Sequence, residues 1–295
     1  MKKTTLLKKS ILAPEILVMP GAHDVLSARI IEKSGFNAFF VGGYAVSATL
    51  LGKPDISLLT LTEMAGQAAR LNDATDIPFL IDADTGYGGV LNVARTVREM
   101  ERAGAAGLFI EDQVFPKRCG HMDGKQVIAP EDMIAKIKAA LDARSDPDFI
   151  IMARTDALAV YGIREAIERG TLYREAGADA IFVEAPMSRD DMSRINREID
   201  APTVANMVEG GKTPFLCAKE LETLGFNMVL FPVSATYALA KAVEDIMVEL
   251  KQTGTTEGFA NRMWQFGDFY RFIDVEAFRA KERTYLEHGN RGRTE

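Results

Sequence analysis

The chain has 295 residues, 47% of them hydrophobic and 26% charged, so it can bury a sizeable core as one large α/β barrel or two smaller domains. A net charge of −7 offers nothing that would attract nucleic acid. Two cysteines, Cys119 and Cys217, exclude a disulfide framework, and without an apolar leader or a run of ~20 apolar residues the expectation is a cytoplasmic protein with no membrane partner.

In chain order, Lys2, Lys3, Lys8 and Lys9 read as the solvated face of a short helix. Eight short apolar or β-branched runs follow, at 16–20, 38–42, 78–83, 107–111, 149–154, 180–184, 203–206 and 228–232. Between them lie stretches with helical spacing, such as Leu91, Ala94, Val97 and Met100, or Met133, Ile137, Ala140 and Leu141. Strands alternating with helices predict parallel strands covered on both faces. Eight such units predict an α/β fold, a closed (β/α)8 TIM barrel spanning 1–295 as a single domain. A doubly wound sheet would carry a glycine-rich turn after its first strand, and Pro20-Gly21-Ala22-His23 is not one. Over 253–295 the pattern changes to a helical tail crowded with Phe259, Trp264, Phe266, Phe269, Tyr270, Phe272 and Phe278. Left exposed, this tail would be an apolar patch of the kind that finds a partner; the alternative is that it packs back on its own barrel.

In such a barrel the active site lies at the C-terminal ends of the strands. Polar and ionisable residues recur there: Gly42-Gly43-Tyr44, Asp82-Ala83-Asp84, Glu111-Asp112, Arg154-Thr155-Asp156, Glu184 and Asn206. Asp82 and Asp84, two apart, are expected on one side of a strand, where two carboxylates repel unless a cation sits between them. With Glu111 they predict an all-oxygen site suited to Mg2+ or Mn2+; the alternative is that one acid caps the following helix. Arg154 could clamp a substrate carboxylate bidentately or serve a structural ion pair. The run 111–121 reads as a strand end followed by a loop of reactive groups. Around Cys119, the bases Lys117, Arg118 and His121 favour the thiolate, whereas an isolated cysteine would read as a small hydrophobe under a loop. His23 is placed near the site, His288 in solvent, and Cys217 in the core of a helix. Gly210-Gly211-Lys212-Thr213 lacks the first glycine of a phosphate loop, and Asp82-Ala83-Asp84-Thr85-Gly86 lacks the third acid of a calcium loop.

Lys117-Arg118-Cys119-Gly120-His121, Asp82-Ala83-Asp84 and Asn206-Met207-Val208-Glu209-Gly210-Gly211 together resemble the isocitrate lyase/phosphoenolpyruvate mutase superfamily, over nearly the whole chain. The resemblance implies barrels whose C-terminal helix is swapped between subunits, giving dimers that pair into homotetramers. It implies Mg2+ held by Asp82 and Asp84, with Asp55 and Glu111 supporting through water. It implies a small-molecule di- or tricarboxylate substrate contacted by Gly42, Gly43, Tyr44, Asp82, Gly120, Arg154, Glu184, Asn206 and Tyr237. The loop bearing Cys119 would close over a reactive enolate, which Cys119 protonates with help from Lys117, Arg118, His121 and Glu184. Tyr44, or a water on Glu111, would take the hydroxyl proton.

Within the superfamily, Ser234-Ala235-Thr236-Tyr237 stands where methylisocitrate lyases carry an arginine for a third carboxylate. A neutral tyrosine forgoes a charge-assisted bond worth roughly 1.5–3 kcal/mol. Tyr237 and Gly43-Tyr44-Ala45-Val46-Ser47 resemble instead the group of petal death and 2,3-dimethylmalate lyases. The expected activity is Mg2+-dependent carbon–carbon cleavage of a 2-alkylmalate, 2,3-dimethylmalate to pyruvate and propionate. The alternatives are methylisocitrate lyase (succinate and pyruvate), carboxyphosphonoenolpyruvate mutase, oxaloacetate hydrolase, and a non-catalytic binding protein on the same barrel.

Overall fold

The computed structural model describes residues 1–122 and 124–291, with side chains as far as His288; positions 292–295 of the expected tail lie outside the described residues. All eight apolar runs form strands: β1 (Leu17–Pro20), β2 (Phe39–Val41), β3 (Phe79–Asp82), β4 (Gly107–Glu111), β5 (Ile150–Thr155), β6 (Ala180–Val183), β7 (Val204–Asn206) and β8 (Met228–Phe231). Every ladder is parallel, in the orders β2-β3-β4-β5-β6 and β1-β8-β7. Bridges between Gly21 and Phe40 and between Ile181 and Thr203 join the two sheets into a closed ring.

The helices are α1 (Lys3–Ile11), α2 (Val25–Lys33), α3 (Gly43–Val46), α4 (Leu61–Ala74), α5 (Val90–Arg102), α6 (Pro130–Ala143) and α7 (Leu158–Tyr161). They continue with α8 (Ile163–Glu175), α9 (Arg189–Glu198), α10 (Ala218–Thr223), α11 (Ser234–Thr253), α12 (Phe266–Phe272) and α13 (Val275–Arg291). The chain divides into two compact units, the first ending at Tyr237, inside α11, rather than at 253.

Side-chain alternation along the strands builds two cores. Inward residues, among them Met19, Phe40, Leu80, Phe109, Met152, Phe182 and Leu230, fill the barrel. Outward residues such as Ile81, Leu108, Ile151 and Ile181 pack with Val97, Ile137 and Tyr173 of the surrounding helices. In α5 the buried face is Val93, Thr96, Val97 and Met100, and Leu91 is 83% exposed. Leu91 and Val93 lie about 200° apart on a helix, so only one of them can face the barrel.

Of the N-terminal lysines expected on a solvated face, Lys2 and Lys9 are exposed, whereas Lys3 and Lys8 are partly buried. Leu7 and Ile11 of α1 join the barrel's inner cluster, so α1 lies across the N-terminal end of the strands. Lys3 Nζ donates to the carbonyls of Asn72 and Thr75 at 3.0 and 2.6 Å, and Lys2 and Lys8 pair with Asp146 and Asp148. The positive residues match the carbonyls and carboxylates that the strand-entry loops present at that end.

In the second unit, Trp264 packs edge-on against Phe269 and Phe272, and Phe272 is buried. Leu239, Val243, Met247 and Leu250 of α11 are 40–50% exposed and share one face at helical spacing. No helix among the described residues is long and apolar enough to cross a membrane.

Candidate active site

The same alternation that fills the barrel with apolar side chains carries polar ones to its C-terminal end. Two residues beyond Leu80, Phe109, Met152, Phe182 and Val204 stand Asp82, Glu111, Arg154, Glu184 and Asn206, all on the inward side and all buried. Above them lies a cavity of about 290 Å³. It is lined by Gly42, Tyr44, Asp55, Asp82, Cys119, Gly120, His121, Arg154, Glu184, Asn206 and Tyr237, each of which the sequence nominated.

Arg154 is the hub. Its guanidinium rests over the rings of Phe109 and Phe182, 5.6 and 5.1 Å from their centroids. It donates to Asp156 through Nε at 2.9 Å and Nη2 at 3.2 Å, and Nη1 lies 3.3 Å from Glu184. Burial works against its charge, but Asp156, Glu111 and Glu184 hold it firmly protonated. Arg154 also faces Gly120: a Cβ there would stand 2.4 Å from Nη2 and 2.6 Å from Glu184, so only glycine brings the loop backbone this close.

The acidic cluster lies beside it. β3 ends at Asp82, and Asp84 has a left-handed backbone with φ +49°, so a turn rather than strand alternation brings the two acids together. Both still converge: Asp82 Oδ2 and Asp84 Oδ1 lie 3.1 and 3.5 Å from where a Cβ on Gly43 would stand. The Gly43 N–H donates to Asp82 Oδ2, and the Asp84 N–H donates to Asp82 Oδ1. Neither acid caps α5, whose N-terminus uses Gly89 and Asn92. Lys117 Nζ contacts Asp55 at 2.7 and 2.8 Å and Asp84 at 2.9 Å. Burial raises the Asp84 carboxyl to about 7 against the pull of Lys117, with Asp82 and Asp55 adding to the shift. Burial likewise raises Glu111, opposed by Arg154 and Lys117.

The carboxylates fit a hard cation. Asp55, Asp82, Asp84, Glu111, Asp156 and Glu184 are all buried, and the cations buried among them are Lys117, Lys125 and Arg154. Arg154 Nε lies 3.3 Å from Glu111 Oε2 but off hydrogen-bonding geometry, leaving both Glu111 oxygens buried without a partner. Protons relieve part of this negative surplus, as the raised acids indicate, and a divalent ion would relieve it more fully. Among the described residues no three His, Cys, Asp or Glu side chains form a closed cage. Mg2+ tolerates that, since it keeps several waters and takes one or two carboxylates.

The Cys119 loop departs from expectation in its electrostatics. Of the three bases around the thiol, Lys117 turns inward to Asp55 and Asp84, and Arg118 is exposed on the outer side. There it lines a wide depression with Phe115 and Met122. Burial lowers the pKa of His121, whose Nδ1 accepts from the Lys212 N–H and whose Nε2 lies 3.3 Å from Glu184. Burial pushes the Cys119 thiol above its ordinary 9.0, outweighing what the nearby donors offer, so the group is a protonated thiol rather than a thiolate. Neighbours in sequence point in different directions along a loop, and proximity along the chain is a poor guide to the field at sulfur.

Tyr44 and Tyr237 meet at the cavity mouth with hydroxyls 3.2 Å apart and rings edge to face. His23 does not line the cavity; its ring is held by Thr236 and Ser27. Cys217 is exposed at the start of α10 and is not a core residue, and His288 is exposed as expected. Sequence reasoning missed Lys125, which is buried and bonds Asp156 at 2.8 Å. It placed Asp112 at a strand end but gave it no role; Asp112 accepts from Thr155, Tyr173 and Arg169 outside the barrel wall. The inward i, i+2 pair Arg154 and Asp156 was a usable signal, but nothing in the loop composition marked Lys125.

The phosphoenolpyruvate phosphomutase family model matches residues 7–251. The chain is 48% identical to 2,3-dimethylmalate lyase of Eubacterium barkeri over 271 residues, 92% of this chain and 94% of that one. It is 47% identical to probable 2-methylisocitrate lyase 1 of Corynebacterium glutamicum, over 92% of this chain and 89% of that one. A crystal structure of a 2,3-dimethylmalate lyase superposes with a TM-score of 0.90 at 33% identity, covering 96% of both chains. A phosphonopyruvate hydrolase complexed with oxalate and Mg2+ superposes at 0.88 and 28% identity, over 97% of this chain and 100% of that one.

Proposed function

The chain belongs to the phosphoenolpyruvate mutase/isocitrate lyase superfamily, and on that premise we propose that it cleaves the C2–C3 bond of a 2-alkylmalate, with 2,3-dimethylmalate giving pyruvate and propionate. The observation that carries the substrate choice is the cavity mouth. Tyr44 and Tyr237 meet there, and Ala45, Val208, Pro232 and Val233 line the same cavity together with the acid Glu209, a largely apolar wall suited to an alkyl substituent rather than a third carboxylate. Methylisocitrate lyase is the second reading, favoured by the similarity to the Corynebacterium glutamicum protein.

Arg154, fixed by Asp156 over an aromatic floor, presents its remaining donor edge to a substrate carboxylate, and the Cβ-free backbone at Gly120 leaves room for it. Asn206 Nδ2 sits 3.4 Å from both Glu184 oxygens and holds that acid toward the same point. Asp82 and Asp84, supported by Asp55 and Glu111, would hold Mg2+, and the bound ion would supply positive charge against the negative charge that develops on the C2 oxygen. The hydroxyl proton leaves to a water held by Glu111, or to Tyr44 as its phenolate, the C2–C3 electron pair becomes the enolate of the departing carboxylic acid, and the C2 fragment leaves as the 2-oxo acid. The Cys119 thiol then gives its proton to the enolate carbon, a role that its burial serves because a general acid must arrive protonated. Lys117 and His121 shape the field around that transfer. The Arg118 backbone holds the loop by exchanging two bonds with the Gln113 side chain.

The exposed face of α11 and the aromatic tail suit a subunit interface, with the C-terminal helix exchanged between partners in a homotetramer, and the protein belongs in the cytoplasm. Sedimentation of Met247→Glu, expected to shift toward monomer, tests the interface. The activity is tested by a Mg2+-dependent, lactate-dehydrogenase-coupled pyruvate assay comparing 2,3-dimethylmalate with 2-methylisocitrate. Preference for dimethylmalate supports the reading. Preference for methylisocitrate overturns the role given to Tyr237, and no pyruvate from either moves the mutase reaction to the front.

A further inference from the structure

We infer that Lys125 and Asp156 form a latch that holds the Cys119 loop closed over the cavity and ties closure to Arg154. The inference deepens the proposed function, since it rests on Arg154 as carboxylate clamp and Cys119 as proton donor.

Lys125 returns from the loop tip with a side chain only 1% exposed. Its ammonium donates to Asp156 Oδ1 at 2.8 Å and to the carbonyl of Gly120, the residue after Cys119. Asp156 therefore accepts from two directions: Lys125 on the loop, and Arg154 through Nε and Nη2 on β5. The Asp156 N–H donates to Asp112 Oδ1 at 2.9 Å, and Asp112 Oδ2 is fastened to Thr155, Tyr173 and Arg169. The carboxylate is thus anchored to the barrel wall, and Lys125 ties the loop to it, beside the separate contacts of Lys117 with Asp55 and Asp84 and of His121 with the Lys212 N–H.

The loop stem does not depend on this contact. It is closed by backbone bonds from Val114 to Gln126 and from Ile128 to Asp112, both 2.8 Å, and by the Gln113–Val127 bridge. Removing Lys125 leaves that stem intact and leaves Asp156 paired with Arg154, so the barrel stays folded while the segment carrying Cys119 loses its link to Asp156 and keeps only the flanking contacts of Lys117 and His121. A carboxylate bound at Arg154 engages the group that orients on Asp156, and the same carboxylate holds the loop. Occupancy and closure therefore share one residue.

The test is alkylation of Cys119 by iodoacetamide in the full-length protein with Mg2+, followed by peptide mass spectrometry. Exposed Cys217 is the internal reference, and oxalate is added or withheld. Lys125→Met is expected to speed Cys119 alkylation about tenfold relative to Cys217 and to erase the protection that oxalate gives the unmodified protein. Its kcat on 2,3-dimethylmalate should fall about 100-fold with KM changed far less, the signature of a displaced donor. Lys125→Arg should recover most of both readouts. If Lys125→Met does not fold, Lys125→Gln, which cannot span both acceptors with a charge, carries the same test. Wild-type alkylation rates and intact oxalate protection in a folded Lys125 variant overturn the latch, and failure of oxalate to protect the unmodified protein overturns the coupling. Protein that makes no pyruvate yet shows the alkylation pattern overturns the substrate reading and leaves the latch standing.

Discussion

The two ends of the barrel are built from the same strands and solve opposite problems. At the N-terminal end α1 closes the ring with Leu7 and Ile11, and its lysines meet carbonyls and carboxylates. Turns there take their left-handed positions with Gly35, Gly104, Gly177 and Gly225, which pay no steric penalty. At the C-terminal end Ser57, Asp84, Tyr87 and Ala185 hold positive φ without being glycine, at a cost of about 1–3 kcal/mol each. The same end gathers seven buried carboxylates among the described residues, Asp112 included, and leaves Glu111 without a hydrogen bond. One end is arranged for stability and the other for chemistry, and the strand alternation that supplies hydrophobes to the first supplies charges to the second.

Substitutions can separate these two roles. The largest expected effect is Cys119→Ser: turnover of 2,3-dimethylmalate should fall by about 10²–10⁴-fold with the melting temperature unchanged. Because burial raises the Cys119 pKa above 9.0, the unmodified enzyme should hold its proton-donating form through neutral pH and lose activity only as pH rises through that raised value. A pH–rate profile with an alkaline limb below 9 would contradict the assignment. At the other end Leu7→Ala should cost about 2–5 kcal/mol in denaturant titration while kcat/KM per folded molecule stays within twofold. Loss of activity without loss of stability would deny that the two ends are independent.

Tyr237→Arg should sharpen the distinction from within the cavity. The added charge is expected to favour 2-methylisocitrate over 2,3-dimethylmalate by about 10- to 150-fold in kcat/KM. An unchanged ratio would show that the mouth does not select by carboxylate count. The smallest effect belongs to Lys8→Met, which removes a surface pair with Asp148 and should leave the denaturant midpoint nearly unchanged, any loss shrinking with added salt.

Much of this contrast was legible before the structure. The eight apolar runs became eight strands with ends shifted by a residue or two, because short β-branched segments between helical stretches have few other ways to bury themselves. Asp82, Glu111, Arg154, Glu184 and Asn206 were found because a strand end has a known direction and a period of two. The errors share a cause. The thiolate expected at Cys119 summed charges by sequence distance, but Lys117 turned to Asp55 and Asp84 and Arg118 turned outward. Leu91 was assigned to a helix face that Val93 occupies, and Cys217 was placed inside a helix that it only begins.

The sequence by itself determined the α/β alternation, the end of the barrel where chemistry collects and the identities of the groups there, because these follow from local periodicity and side-chain chemistry. The tertiary structure alone decided what those groups are worth. It set the protonation of Cys119 through burial, made Asp156 the common partner of Arg154 and Lys125 across 31 residues of chain, and turned a lysine-rich N-terminus into the plug of the barrel. Electrostatics and burial depend on distances in space, and those are fixed only when the ring of strands has closed.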